Sequence, residues 1–280
     1  MLPEATEEIV RMAFEEDLGN GDHTTQATIP ADAAGGVHLL IRAPGVLAGV
    51  ELAEFICSHV DKGLRMRTLI RDGAAVVKGD VAFTITGNIR SMLVAERVLL
   101  NFMQRMSGIA SRTRQFVELL EGTKCKVLDT RKTTPNFRSM EKWAVRIGGG
   151  MNHRFGLYDM VLIKDNHVDF AGGIPQAILS ARGYLKANKL ALPVVIETRN
   201  MREVEQVLKH GEVDRIMLDN FTPAQVRKAV DRIDKRFPVE ASGGITLKNA
   251  RAYAEAGVDF ISSGAIIHSA TVLDMSLKAL

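Results

Sequence analysis

Near the N-terminus, apolar residues recur at helical spacing (Ile9, Val10, Ala13, Phe14) and stop at Gly19. That pattern predicts a short amphipathic helix, ended by the turn-rich run Gly19-Asn20-Gly21-Asp22. Extended runs follow at 37–41, 65–70 and 81–86, the second alternating in polarity, with Asp72-Gly73 and Lys78-Gly79-Asp80 as turns between them. Together these predict a mixed α/β module on an antiparallel sheet. From 91 to about 120, Leu93, Val94, Val98, Phe102, Met106 and Ile109 line one side of a long helix expected to link two modules.

Beyond residue 120 the pattern changes to strand-then-helix units. Apolar strands are predicted at 126–130, 160–164, 193–197, 215–219, 239–242 and 260–263, with helices at 174–187, 202–210, 223–235 and 247–256 between them. Strands apolar almost throughout are covered on both faces, as in parallel α/β folds. Nearly every strand finishes on a charged or small polar residue: Arg131-Lys132, Lys164, Glu197, Asp219, Ser242, Ser263. In a barrel those ends converge on one mouth, whereas an open sheet would spread them apart. The expected fold is therefore an N-terminal α/β sandwich domain over 1–110, then an incomplete TIM-like barrel of six or seven parallel strands over 111–267. The tail, about 268–280, is expected to pack back on the first domain.

Composition narrows the class. The 280 residues are 46% hydrophobic and 25% charged, ample for a folded soluble core. No apolar run approaches the ~18–20 residues of a membrane helix, and the start of the chain does not read as a signal peptide. Cys57 and Cys125 have no cysteine neighbours at metal-ligand spacing, so a reducing, cytoplasmic setting is expected. The net charge is only +3, yet residues 101–166 hold twelve Lys and Arg against six Asp and Glu. With one Trp and three Tyr there is little aromatic interleaving for stacking nucleic acid. A small anionic ligand fits better.

The strand ends carry the candidate chemistry. Ser242-Gly243-Gly244 and Ser263-Gly264-Ala265 each follow a strand and precede a helical run, so their N–H groups suit a phosphate. Arg131, Lys132, Arg154 and Lys164, with His153, bring cations to the same mouth, and such a cluster persists where anions visit or carboxylates pair with it. Glu197 and Asp219 either pair with those lysines, or bind Mg²⁺ directly or through water, or hold ribose hydroxyls.

The order of these segments then points to a family. Leu128-Asp129-Thr130-Arg131-Lys132-Thr133-Thr134-Pro135 is followed by Glu141-Lys142, Gly148-Gly149-Gly150 and Asn152-His153-Arg154. Next come Leu162-Ile163-Lys164-Asp165-Asn166-His167, Ile196-Glu197-Thr198-Arg199-Asn200, Met217-Leu218-Asp219-Asn220-Phe221 and Glu240-Ala241-Ser242-Gly243-Gly244-Ile245. With Gly21-Asp22-His23-Thr24-Thr25 and Asn101-Phe102-Met103-Gln104-Arg105-Met106-Ser107-Gly108, the chain resembles the quinolinate phosphoribosyltransferases, or carboxylating nicotinate-nucleotide pyrophosphorylases, over essentially its whole length.

The resemblance implies transfer of phosphoribosyl from phosphoribosyl pyrophosphate to quinolinate with loss of CO₂, giving nicotinate mononucleotide for NAD synthesis. It implies a homodimer, in some members assembled further to a hexamer, with Mg²⁺ as cofactor and neither nucleic acid nor membrane as partner. Arg131, His153, Arg154 and Lys164 would surround quinolinate, joined by Arg105 of the neighbouring subunit, and Thr130 would also bind substrate. Lys132 and Lys164 would approach the pyrophosphate, Glu197 and Asp219 the ribose and Mg²⁺. The loops of Ser242, Gly243, Gly244 and Ser263, Gly264, Ala265 would hold the 5′-phosphate. Lys132, Lys164, Glu197 and Asp219 are the expected catalytic set. Three rivals remain on residues alone: an aldolase-type barrel with a Lys164 Schiff base, a basic nucleic-acid binder, and a relative using nicotinate without decarboxylation.

Overall fold

A computed structural model describes residues 2–280. The chain divides into two compact units, one of residues 2–114, 133–149 and 266–280, the other of 115–132 and 150–265. In chain order the first unit opens with α1 (Thr6–Leu18) and α2 (His23–Thr28), the latter capped by the Asp22 carboxylate accepting from Thr25 N. Then come β1 (Ala34–Ile41), β2 (Gly45–Val46), α3 (Val50–Val60), β3 (Arg65–Thr68), β4 (Ala75–Val76) and β5 (Val81–Asn88). The long α4 (Ile89–Leu119) carries the chain from the first unit into the second.

The remaining elements are β6 (Lys126–Leu128), α5 (Arg138–Ile147), β7 (Val161–Ile163), α6 (Asp165–Ala171), α7 (Ile174–Ala187) and β8 (Val194–Thr198). They continue with α8 (Met201–His210), β9 (Arg215–Asp219), α9 (Pro223–Ile233), β10 (Val239–Ser242), α10 (Ala250–Glu255), β11 (Phe260–Ser262), α11 (Ala265–His268) and β12 (Met275–Ala279). In the first unit, β12, β1, β5 and β3 form an antiparallel sheet in that order. Its last strand comes from the C-terminal segment: Leu39 pairs with Leu277 and Ile41 with Met275. α5 belongs to this unit too, so residues 133–149 depart from a plain cut near 110.

The second unit is a parallel sheet of six strands in the order β6-β11-β10-β9-β8-β7. A single bridge from Leu128 to Met151 extends it beyond β6. From β7 to β11 the strands are neighbours in chain order with helices between them, and the first strand, β6, closes on the last, β11, the arrangement of an incomplete barrel. Its strands are buried as the sequence pattern demands, with Val194 through Thr198 inaccessible or nearly so. α8 and α9 start on side-chain caps, Asn200 Oδ1 accepting from Glu203 N and Thr222 Oγ1 from Gln225 N. Those caps fix where the βα loops after β8 and β9 end.

Candidate active site

In a parallel sheet every strand ends on the same side, so the polar residues at those ends share one rim. Asp219 closes β9 and pairs in register with Ser242, which closes β10. Glu197 lies one strand over in β8, and Lys164 follows β7 as the residue that opens α6. Thr130, Arg131 and Lys132 follow β6, the Lys132 amide folding back to donate to Thr130 Oγ1 at 3.0 Å. Ser263 follows β11, its amide donating to Leu128 O.

The carboxylates and lysines of this rim sense one another. Lys164 Nζ stands 3.8 Å from Glu197 Oε1. Burial raises the Glu197 carboxyl above its ordinary range, the positive charge of Lys164 works against that, and the negative charge of Asp219 adds to it. Asp219 is likewise raised by burial, opposed by Lys164 and Lys132 and by a 2.7 Å hydrogen bond from Asn220 Nδ2. Two carboxylates pushed upward by burial beside two lysines form one coupled charged cluster, the kind of environment found at functional sites. Among the described residues no group of three or more His, Cys, Asp or Glu could hold a metal ion. Glu197 and Asp219 alone still fit Mg²⁺, which keeps waters and substrate phosphate oxygens in its shell and needs only one or two carboxylates.

A second knot fixes the basic side. Asp129 is buried, and its two oxygens accept from His153 N at 2.8 Å and Asn152 Nδ2 at 2.6 Å. His153 Nδ1 in turn accepts from Arg154 N at 2.8 Å. The Arg154 guanidinium is largely buried. Burial and then the nearby charge of Arg131 push its pKa down, with Asp159 and Glu197 pulling the other way. Two arginines set close enough to repel are arranged for an anion between or beside them.

The glycine loops differ from expectation in one respect. α10 begins six residues beyond Gly244, at Ala250, and α11 has only four residues. Helix ends therefore offer little to an anion at these loops, whose available donors are backbone N–H groups. Gly243 has φ +91° and Gly244 φ +61°, conformations that favour glycine. Ser263 Oγ donates to Ile245 O at 2.6 Å and accepts from Ala265 N at 3.3 Å, so this buried hydroxyl fastens the two loops together.

Arg105 belongs to the first unit. Its Nε and Nη2 both donate to Oε1 of Glu141, at 3.0 and 2.7 Å, while Nη1 and Nη2 also reach Ala270 O and Ile267 O. His167, part of the quoted signature, accepts from Lys164 N at 2.9 Å through Nδ1 and so orders the start of α6. Sequence reasoning missed Asp129, Glu141 and Glu240 as partners of site residues. A signal was available for two of them: Asp129 and Glu240 each stand in an otherwise apolar buried stretch, where a charge persists only if paired, whereas Glu141 sits beside Lys142.

Such a rim on a parallel α/β barrel defines an enzyme for anionic, phosphorylated ligands. The model of the quinolinate phosphoribosyltransferase N-terminal domain matches residues 22–107 and that of the C-terminal domain residues 109–278. The chain belongs to the quinolinate phosphoribosyltransferase family. It is 44% identical to the mitochondrial quinolinate phosphoribosyltransferase [decarboxylating] 2b of Nicotiana tabacum, over 97% of this chain and 81% of that one. It is 41% identical to the nicotinate-nucleotide pyrophosphorylase [carboxylating] of Mycobacterium leprae, covering 98% and 97% of the two chains. The crystal structure of NadC from Streptococcus pyogenes superposes with a TM-score of 0.94 at 37% identity, covering 100% and 99% of the two chains.

Proposed function

We infer that the chain is a decarboxylating quinolinate phosphoribosyltransferase: it joins quinolinate to the anomeric carbon of phosphoribosyl pyrophosphate and releases pyrophosphate and CO₂. The product is nicotinate mononucleotide, a precursor of NAD. Similarity over nearly the whole of this chain to the quinolinate phosphoribosyltransferase [decarboxylating] of Nicotiana tabacum carries this reading, and the chemistry of the rim supports it. A dianionic pyridine and a pyrophosphate ester repel each other unless cations neutralise both. Arg131 and Arg154 suit the carboxylates of the acceptor, with Thr130 beside them, and Lys132 and Lys164 suit the pyrophosphate side. The loops of Ser242, Gly243, Gly244 and of Ser263, Gly264, Ala265 suit the 5′-phosphate.

As pyrophosphate departs, the ribose gains positive character, which Glu197 and Asp219 stabilise from fixed positions. Bound Mg²⁺ would neutralise pyrophosphate charge, with Glu197 and Asp219 as its protein ligands. Once the ring nitrogen carries ribose it is cationic, and it stabilises the carbanion left when the adjacent carboxylate departs as CO₂. No separate electron sink is needed. Arg105 is assigned to the site of the neighbouring subunit in a homodimer, and the buried free thiols suit a reducing cytoplasm. No described helix is long and apolar enough to cross a membrane.

Release of labelled CO₂ from quinolinate, dependent on phosphoribosyl pyrophosphate and Mg²⁺, tests the reaction. Nicotinate should be far poorer, because losing one charge-assisted contact weakens binding roughly tenfold to a hundredfold. Equal turnover of nicotinate and quinolinate would overturn the reading.

A further inference from the structure

Glu240 is the second residue of β10 and is fully buried, yet nothing in the chemistry above uses it. Its Oε2 accepts from Arg215 Nη1 at 2.8 Å, and its Oε1 faces His153 Nε2 at 3.4 Å. Arg215 is itself fixed, its guanidinium lying 4.2 Å from the centre of the Phe260 ring. Burial alone would raise the Glu240 carboxyl. The guanidinium of Arg215, hydrogen-bonded to Oε2 at 2.8 Å, offsets that cost and keeps Glu240 ionised. It is an anion that can only accept.

The other ring nitrogen is committed as well. Nδ1 accepts from Arg154 N at 2.8 Å, so it carries no proton. A neutral imidazole then holds its single proton on Nε2, toward Glu240. Contacts on both sides select the same tautomer, as buried carboxylates do for the histidines they orient. With Nδ1 and Nε2 both turned to protein, the ring serves an anionic acceptor through its neighbour. Arg154 follows His153 directly, and its guanidinium is steadied by Met160 O at 3.3 Å from Nη1.

We propose that Glu240 is a positioning residue for acceptor binding: held by Arg215, it locks His153 in the Nε2–H tautomer, and His153 thereby fixes the backbone that aims Arg154. The acceptor's identity as quinolinate rests on the reading above, whereas the tautomer does not. His153 thus acts on the carboxylates indirectly.

Side-chain nitrogen NMR of the full-length wild-type protein at neutral pH should find His153 with Nδ1 bare and Nε2 protonated. In Glu240→Gln the amide NH₂ can face the ring, which should move the proton to Nδ1 and raise KM for quinolinate about tenfold or more. In the same variant kcat and KM for phosphoribosyl pyrophosphate should change much less. A second pair of variants keeps the test independent of how Glu240→Gln folds. The amide oxygen of asparagine overlays Nδ1 and can still accept from Arg154 N, whereas glutamine reaches the place of Nε2. His153→Asn should therefore keep a lower KM for quinolinate than His153→Gln. A proton on Nδ1, an imidazolium in the wild type, or a better His153→Gln than His153→Asn overturns the relay. If the wild type releases no CO₂ from quinolinate, the reaction reading falls, and the tautomer still decides the relay.

Discussion

Arg105 gives two of its N–H groups to a single oxygen, Oε1 of Glu141, and Glu141 is completely buried. The same carboxylate accepts from Thr134, at 2.8 Å from the amide and 2.9 Å from the hydroxyl. Removing the carboxylate strips four donor groups of their acceptor at once and leaves the Arg105 cation without its counter-charge. Breaking a buried pair from one side costs about 3–5 kcal/mol, and the partial exposure of Arg105 places Glu141→Ala toward the lower end. The midpoint of urea unfolding should fall with an unchanged slope. A midpoint equal to wild type would show that Glu141 holds nothing of consequence.

Arg105 also tests the proposed dimer. Arg105→Gln keeps a donor for Glu141 but loses the cation, and Lys164→Ala damages the rim of the second unit. Each should be nearly inactive alone. Unfolded and refolded together, half of the randomly paired dimers are mixed, each with one intact site, so roughly a quarter of wild-type activity should return. Mixed dimers that form without recovering activity would place Arg105 outside the neighbour's site.

Lys164 lies half exposed beside Glu197, at 3.8 Å. With the lysine end half exposed and the two charged atoms 3.8 Å apart, the pair contributes only ~0–1 kcal/mol to folding, so Lys164→Ala should unfold close to the wild type. On the proposed role in transition-state charge, kcat should fall by around 10²–10³. A raised KM with kcat unchanged would instead assign the lysine to uniform binding.

The six parallel strands and their polar ends were legible because period and burial coincide there: β9 matches the apolar run at 215–219 to the residue. The residues at the strand ends could be named for the same reason. Their supports could not, because each lies far away in sequence: Glu240 meets Arg215 across 25 residues, and Glu141 meets Arg105 across 36. β12 is a strand because β1 offers it an edge, and the alternation of Met275, Leu277 and Ala279 with Ser276 and Lys278 is too short to fix a strand by itself. α3 and α5 were not anticipated either. α5 has Glu141 and Lys142 inside its buried side, so a charge count disguises the face that packs.

Both thiols are buried, and burial pushes each to about 12, aided by the negative charges of Glu54 at Cys57 and Asp259 at Cys125. At pH 8 only about one thiol in ten thousand is then ionised, and the thiolate is the reactive form. An aromatic disulfide reagent should label neither cysteine in the folded protein and both after unfolding. The same shift has a sign for stability. Between about 9 and about 12 the folded chain keeps protons that the unfolded chain releases, so stability falls as pH rises through that window and is undiminished below it. Cys57→Ala with Cys125→Ala should show a shallower alkaline decline in unfolding midpoint.

Gly243 separates contact from conformation in the phosphate loops. A methyl at this position would stand 2.2 Å from Asn220 Oδ1 and 2.9 Å from Asn220 N. The side-chain oxygen could swing away, but the amide is held by Ser242 O at 2.9 Å. Asn220 also donates to Asp219, so whatever moves it disturbs the carboxylate proposed to face the ribose. Gly244 shares the left-handed backbone, at φ +61°, but a methyl there meets nothing within 4 Å. Gly244→Ala should therefore carry only the conformational cost of about 1–2 kcal/mol. Gly243→Ala should add the clash, reaching about 1–3 kcal/mol beyond that. It should also lower kcat/KM for phosphoribosyl pyrophosphate by tenfold or more, on the scale of about 1.4 kcal/mol per tenfold. Thermal unfolding and steady-state kinetics on the two variants decide the matter. Equal losses in both would assign the glycines to backbone strain alone and release Asn220 from any part in holding Asp219.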